Sequence, residues 1–221
     1  VNAAEYGGWD IDWEGSQHVV GSAPEQGYVV NDGTPNPNPT WTWADSTIVQ
    51  EPGGNKALRL GDSDGNSAYV GLNMYPDADS PSSGKVRFSY DFNISSSFDT
   101  VYSGTTGYAY TWIQHSDLTK VLARFRFGVG DSHVILAEEY GDDGVRGTTY
   151  SVGQYTPDTW HNIQVVLDLD ADLMDYYLDG NKVLTGLNIG FEGVALDYLH
   201  IHNPSFPDTR DGGSMLIDNV I

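Results

Sequence analysis

The feature that most constrains this chain is a two-residue alternation of apolar and polar side chains. It recurs along most of the sequence. Val86, Phe88, Tyr90, Phe92 and Ile94 alternate with Lys85, Arg87, Ser89, Asp91 and Asn93. Val121, Ala123, Phe125, Phe127 and Val129 alternate with Lys120, Leu122, Arg124, Arg126 and Gly128. Ile163, Val165, Leu167 and Leu169 alternate with Asn162, Gln164, Val166 and Asp168. This period puts one face of each run in a core and the other outside, as strands require. Helical periodicity is nearly absent by comparison. Turn clusters punctuate the runs: Gly61-Asp62-Ser63-Asp64-Gly65-Asn66, Asp142-Asp143-Gly144 and Leu178-Asp179-Gly180-Asn181. The last has strands on both sides and reads as a hairpin. Many short strands with such turns predict an all-β chain, a β-sandwich jelly roll of two antiparallel sheets.

Composition supports one such unit. Apolar residues make up 39% of 221 residues and aromatics 12%, enough for a single core. All-β domains of about 200–250 residues are common, so one domain over 1–221 is expected. Asn31 to Pro39, with Pro35, Pro37 and Pro39, reads as a surface loop before Trp41. The 31 acidic residues outnumber the 10 basic ones, for a formal charge of −21. That excludes a general nucleic-acid binder, which needs clustered Lys and Arg. The absence of cysteine excludes disulfide scaffolds, zinc-thiolate sites and a cysteine nucleophile. No apolar run approaches the roughly 18 residues of a membrane helix, so membrane insertion is not expected. The acidity fits solubility in a salty extracellular or periplasmic setting, or a cation-seeking surface. No leader is visible at Val1, which predicts a cytosolic or already processed chain. The end at Ile221, just past the last expected strand, leads to the expectation of an excised domain or an ordered core.

Several segments resemble a known group. Thr159-Trp160-His161-Asn162-Ile163-Gln164-Val165-Val166-Leu167-Asp168, followed by Tyr176-Tyr177-Leu178-Asp179-Gly180-Asn181-Lys182-Val183, is similar to a hairpin of concanavalin A-like (laminin-G-like) jelly rolls. Leu216-Ile217-Asp218-Asn219-Val220 resembles their last strand, and Gly54-Asn55-Lys56-Ala57-Leu58-Arg59-Leu60 an early one. The fold hosts lectins, carbohydrate-binding modules, glycoside hydrolases and polysaccharide lyases, so it does not by itself give an activity. The resemblance implies a secreted protein that handles polysaccharide, and a monomer is expected. It does not extend to the retaining glucanases of this fold, whose carboxylate strand has only a distant counterpart in Trp9-Asp10-Ile11-Asp12-Trp13-Glu14. Asp10, Asp12 and Glu14 would share one strand face, and the alternative is an acidic segment with Trp9 and Trp13 laid on the sandwich.

Alternation also says what each strand presents outside. The run from Tyr108 leaves Tyr108, Tyr110, Trp112 and Gln114 outward, with Ala109, Thr111 and Ile113 inward. The run at Lys120 leaves Lys120, Arg124 and Arg126, and the run at Lys85 leaves Arg87, Ser89 and Asp91. Asp197 to Asn203 leaves Tyr198, His200 and His202 outward. If these strands share one sheet, Lys85, Arg87, Lys120, Arg124 and Arg126, half of the ten basic residues, gather in a groove on its concave face. The other reading is that Arg124 and Arg126 pair with acidic neighbours on adjacent strands, and the two can coexist.

A groove of Arg, Tyr, His, Gln and Trp fits β-elimination in a uronate polysaccharide. Arg124 neutralises the carboxylate and so acidifies the proton beside it. His200 or His202 removes that proton, and Tyr110 or Tyr198 protonates the leaving oxygen. Arg87, Arg126, Gln114 and Lys120 would bind the anionic substrate, and Trp112 would stack on a sugar. The expected partner is therefore an anionic polysaccharide, with no cofactor needed for catalysis. Jelly-roll alginate lyases resemble this plan, but Ile113-Gln114-His115 matches their Gln-Ile-His strand only in part and no Tyr-Phe-Lys strand is present. Their catalytic assignments are therefore not transferred. The competing function is a non-catalytic carbohydrate-binding module with Trp41, Trp43 or Trp112 as platform. A laminin-G-like adhesion domain is a third reading. Glu5 and Asp218 are candidate ligands of a structural calcium between the terminal strands. Asp62 to Asn66 resembles half a calcium loop but reads more simply as an Asp/Gly turn.

Overall fold

The computed structural model describes residues 20–21, 46–61, 69–73, 83–114, 120–141, 145–190, 198–202 and 213–220, with backbone alone at 69–73 and 198. In chain order the elements are β1 (Ser46–Gln50), β2 (Lys56–Gly61), β3 (Tyr69–Asn73), β4 (Lys85–Ile94), α1 (Ser97–Val101), β5 (Thr106–Gln114), β6 (Val121–Gly130) and β7 (Val134–Tyr140). They continue with β8 (Arg146–Gln154), β9 (His161–Asp168), β10 (Leu173–Leu178), β11 (Asn181–Asn188), β12 (Tyr198–His202) and β13 (Ser214–Asp218). The alternating runs predicted around Val86, Val121 and Ile163 are β4, β6 and β9. The predicted hairpin is β10–β11. Its turn residues Asp179 and Gly180 have φ of 49° and 76°, the pair of positive values that a tight two-residue hairpin turn demands.

The strands form two antiparallel sheets. One has seven strands in the order β1-β2-β13-β4-β9-β10-β11, the other six in the order β3-β12-β5-β6-β7-β8. The inward residues of both meet in one core. Phe88, Tyr90 and Phe92 of β4 and Ile163, Val165 and Leu167 of β9 come from the first sheet. Ala109 and Ile113 of β5, Phe125 and Phe127 of β6, and Leu199 and Ile201 of β12 come from the second. Aromatic contacts bridge the layers, with Phe92 and Phe127 centroids 4.6 Å apart. A polar tie also crosses them: the Tyr90 and Thr111 hydroxyls, both buried, lie 2.5 Å apart. Burial pushes the Tyr90 phenol pKa well up, so it stays neutral. The short helix α1 closes one end by laying Phe98 over Gly213, where an added Cβ would fall 1.8 Å from the ring.

The sheet order corrects one expectation. Arg87, with Lys85, lies on β4 in the seven-stranded sheet and so does not share a face with β5, β6 and β12. Alternation tells which side of its own strand a residue takes, but not which sheet the strand joins. Lys120 is corrected for a different reason. It precedes a bulge at which Ile113 pairs with Ala123 and Gln114 with Val121, leaving Leu122 without a partner on β5. The extra residue breaks the two-residue count between Lys120 and Arg124, and Leu122 goes into the core. Alternation therefore does not put Lys120 beside the arginines.

Candidate active site

The six-stranded sheet brings most of the remaining candidates together. Reading across it, one row of Cα partners runs Gly71, His200, Trp112, Arg124, Glu138 and Thr149. The next runs Tyr69, His202, Tyr110, Arg126, Leu136 and Ser151. Tyr198 and Gln114 pair one step beyond the first row, and Gln114 is buried. The inward neighbours Ala109, Thr111, Ile113, Phe125, Phe127, Leu199 and Ile201 are all buried, which confirms the predicted sidedness of these strands.

At the centre stands a carboxylate that the sequence analysis did not place. Glu138 is 0% exposed, although its strand alternation directs it away from Ile135 and Ala137. Its Oε2 lies 3.1 Å from Arg124 Nε, and its Oε1 lies 2.9 Å from Arg126 Nε and 3.4 Å from Arg146 Nη1. Tyr140 Oη donates to Oε2 at 3.5 Å and accepts from Arg124 Nη1 at 3.4 Å. The Arg124 and Arg126 Nε–H directions do not aim at the carboxylate as hydrogen bonds, so those contacts are close ion pairs. The expected cross-strand pairing is thus present. Among the described residues it also leaves three guanidiniums to one carboxylate.

Aromatic rings support the arginines. The Arg124 guanidinium carbon sits 4.4 Å from the Tyr110 ring centre and 5.6 Å from that of Trp112, and Arg126 sits 4.5 Å from Tyr108. Tyr108, Tyr110 and Trp112 form a ladder along β5, with centroid spacings of 6.3 and 6.1 Å. Arginine therefore covers two of the rungs. Trp112 instead meets the histidines, its ring 4.5 Å from His202 and 5.5 Å from His200. Its indole N–H is buried with no hydrogen-bond acceptor among the described residues.

His200 and His202 are on the predicted face but are covered, at 9% and 3% exposure. His202 Nε2 and His200 Nδ1 are 3.2 Å apart, so one ring donates to the other. Burial pushes the His200 pKa down to about 3. Burial, then His200 and Arg124, holds His202 well below its ordinary value. Both rings are neutral at physiological pH.

The remaining candidates fall elsewhere. Glu5, Asp10, Asp12, Glu14, Trp41, Trp43, His115 and the 62–66 turn lie outside the described residues. Asp218 lies on β13 in the other sheet, where it accepts from the Asn219 N–H at 2.9 Å. Its partner Asp91 accepts from the Asn162 and Asn219 amides, each at 2.7 Å. Among the described residues no group of three or more His, Cys, Asp or Glu is placed to hold a metal ion. Arg146, Tyr140 and Glu138 were the residues missed. Glu138 carried a usable signal, since Ile135 and Ala137 inward put it on the arginine face.

No protein-family model matches the chain, and no curated protein matches it significantly in sequence. Solved structures do. Alginate lyase AlyC3 matches with a TM-score of 0.54 and 11% identity, over 75% of this chain and 74% of its own. An endo-β-1,4-glucuronan lyase from the fungus Trichoderma reesei matches with a TM-score of 0.53 and 11% identity, over 79% of this chain and 85% of its own. A sialidase matches with a TM-score of 0.51 and 13% identity, over 80% of this chain but only 16% of its own length. No helix among the described residues is long and apolar enough to cross a membrane. The likenesses show architecture: the chain is a concanavalin A-like jelly roll, a fold it shares with polysaccharide lyases.

Proposed function

We propose that this is a secreted polysaccharide lyase that cleaves an anionic, uronate-containing glycan on the outward face of the six-stranded sheet. One observation carries the reading: three arginines converge on a single buried carboxylate in a row with tyrosine, tryptophan and histidine. Among the described residues, positive charge thus outnumbers negative charge in that row, in a chain whose formal charge is −21. In β-elimination the proton beside the uronate carboxylate leaves as the bond to the glycosidic oxygen breaks and a carbon–carbon double bond forms. Arg124 neutralises the carboxylate and stabilises the charge that develops. Tyr110, whose ring lies under Arg124, protonates the departing oxygen, and a neutral His202 or His200 takes the proton. Solved lyases of the same fold that act on alginate and glucuronan favour a uronate polymer as substrate.

A second reading is favoured by the burial of the two histidines. A general base must reach its substrate, and a ring held near pKa 3 accepts a proton reluctantly. That suits a non-catalytic carbohydrate-binding module. Incubation with alginate, glucuronan, ulvan and pectate separates the two. The lyase reading expects ultraviolet absorbance from unsaturated uronate ends. Retention on a polysaccharide affinity gel without any such product would replace it with the binding module. Neither product nor retention would sink both.

A further inference from the structure

Glu138 has no part in the elimination chemistry, yet it is wholly covered and central to the arginine row. We infer that Glu138 is a positioning residue, fixing Arg124 and Arg126 as an oriented pair of guanidiniums for the carboxylates of an anionic glycan. What the arginines meet rests on the lyase reading above. That Glu138 sets their orientation rests on the geometry alone.

Its two oxygens are divided between the arginines, Oε2 to Arg124 at 3.1 Å and Oε1 to Arg126 at 2.9 Å. A single rigid carboxylate therefore sets the separation of the pair. Each guanidinium also lies over its own tyrosine ring, Arg124 over Tyr110 and Arg126 over Tyr108. A planar cation held by a ring on its face and a charge at its edge has few other orientations. The ion pair at Nε leaves the terminal nitrogens of each guanidinium as donors, of which Arg124 gives one to Tyr140. The Nε contacts are not aligned as hydrogen bonds, so the hold is electrostatic and a neutral amide of the same shape would not supply it. A negative charge between two arginines weakens their attraction for a polyanion, and burying it is costly unless it is paired. A carboxylate that lowers the field but fixes the geometry suits a site where orientation decides the rate.

The test compares Glu138→Gln with the unaltered protein by turnover of alginate and by NMR of the arginine Nε–H groups. In the unaltered protein Arg124 and Arg126 are expected to give resolved, slowly exchanging signals. In Glu138→Gln these merge with the exposed arginines. Turnover falls about 100-fold, as a misplaced positioning group predicts. KM does not rise, because the face has lost a negative charge. A turnover within twofold of the unaltered protein, or Nε signals that stay resolved, would overturn the inference. Should Glu138→Gln fail to fold, Glu138→Asp keeps the charge one methylene short of both arginines. Its expected loss is about tenfold in turnover at unchanged KM, and an unchanged turnover overturns the inference equally. If the unaltered protein cuts no uronate polymer but the Nε signals still collapse in Glu138→Gln, the lyase reading falls while the role of Glu138 in orienting the arginines stands.

Discussion

The two sheets carry the same kinds of charge on their outward faces and use them differently. On the seven-stranded sheet Lys85 meets Asp168 at 2.9 Å and Lys182 meets Asp175 at 2.6 Å, with both lysines in solvent. Such pairs are screened and contribute little. On the six-stranded sheet Glu138 is fully covered, and two of its three arginines, Arg124 and Arg126 of β6, are also mostly covered, each lying over a tyrosine ring of β5. Only Arg146 is largely exposed, at 53% of its side chain. A buried carboxylate must be paired, so that face cannot lose a partner cheaply. The lesson is that exposure, more than the number of ion pairs, marks the six-stranded face as the specialised one.

That contrast can be broken by substitution, and the largest effect is expected at its centre. Glu138→Ala leaves neighbouring guanidiniums uncompensated and should cost about 3–5 kcal/mol in denaturant unfolding. A cost no larger than that of a surface pair would erase the difference between the faces. Tyr90→Phe removes one of two buried hydroxyls that tie the sheets, leaving Thr111 without that partner, and should cost about 1–3 kcal/mol. Acid should reveal the covered histidines next. Burial lowers the folded pKa of His200 from 6.5 to about 3, so the unfolded chain takes up the proton first. That contribution to stability is complete above about pH 6.5 and is lost as pH falls toward 3. Asp168, held below its ordinary 3.8 by the hydrogen bond from Lys85, loses its contribution only beneath that value. The upper part of the acid limb therefore reports the histidines, and His200→Gln should flatten it in melts across that range. An unchanged slope would mean the rings are wet. The smallest effect is expected on the other face: Lys182→Ala and Lys85→Ala should leave the melting temperature where it is.

Much of the fold was legible in the alternation. Phe88 and Phe125 face inward because their neighbours at two residues do, and Asp179-Gly180 could only turn a hairpin. The candidate face was legible strand by strand: Tyr110, Trp112, Arg124, Arg126, His200 and His202 do share it. Sheet membership was not legible, because local periodicity carries no long-range pairing, and Arg87 was misplaced for that reason. The bulge at Leu122 left only a faint sign, three apolar residues in a row at Val121, Leu122 and Ala123 inside a run that otherwise alternates. Burial of the histidines depends on what packs across the strands, which the two-residue period does not describe.

The most direct test of the account sets one arginine from each sheet side by side. Arg124→Ala and Arg87→Ala remove the same charge, so a role in general attraction would weaken both alike. If the six-stranded face is the site of elimination, release of unsaturated uronate by Arg124→Ala falls at least about 100-fold, in line with loss of a preorganised charge-stabilising donor, while Arg87→Ala keeps its rate. Equal rates for the two variants would contradict the account.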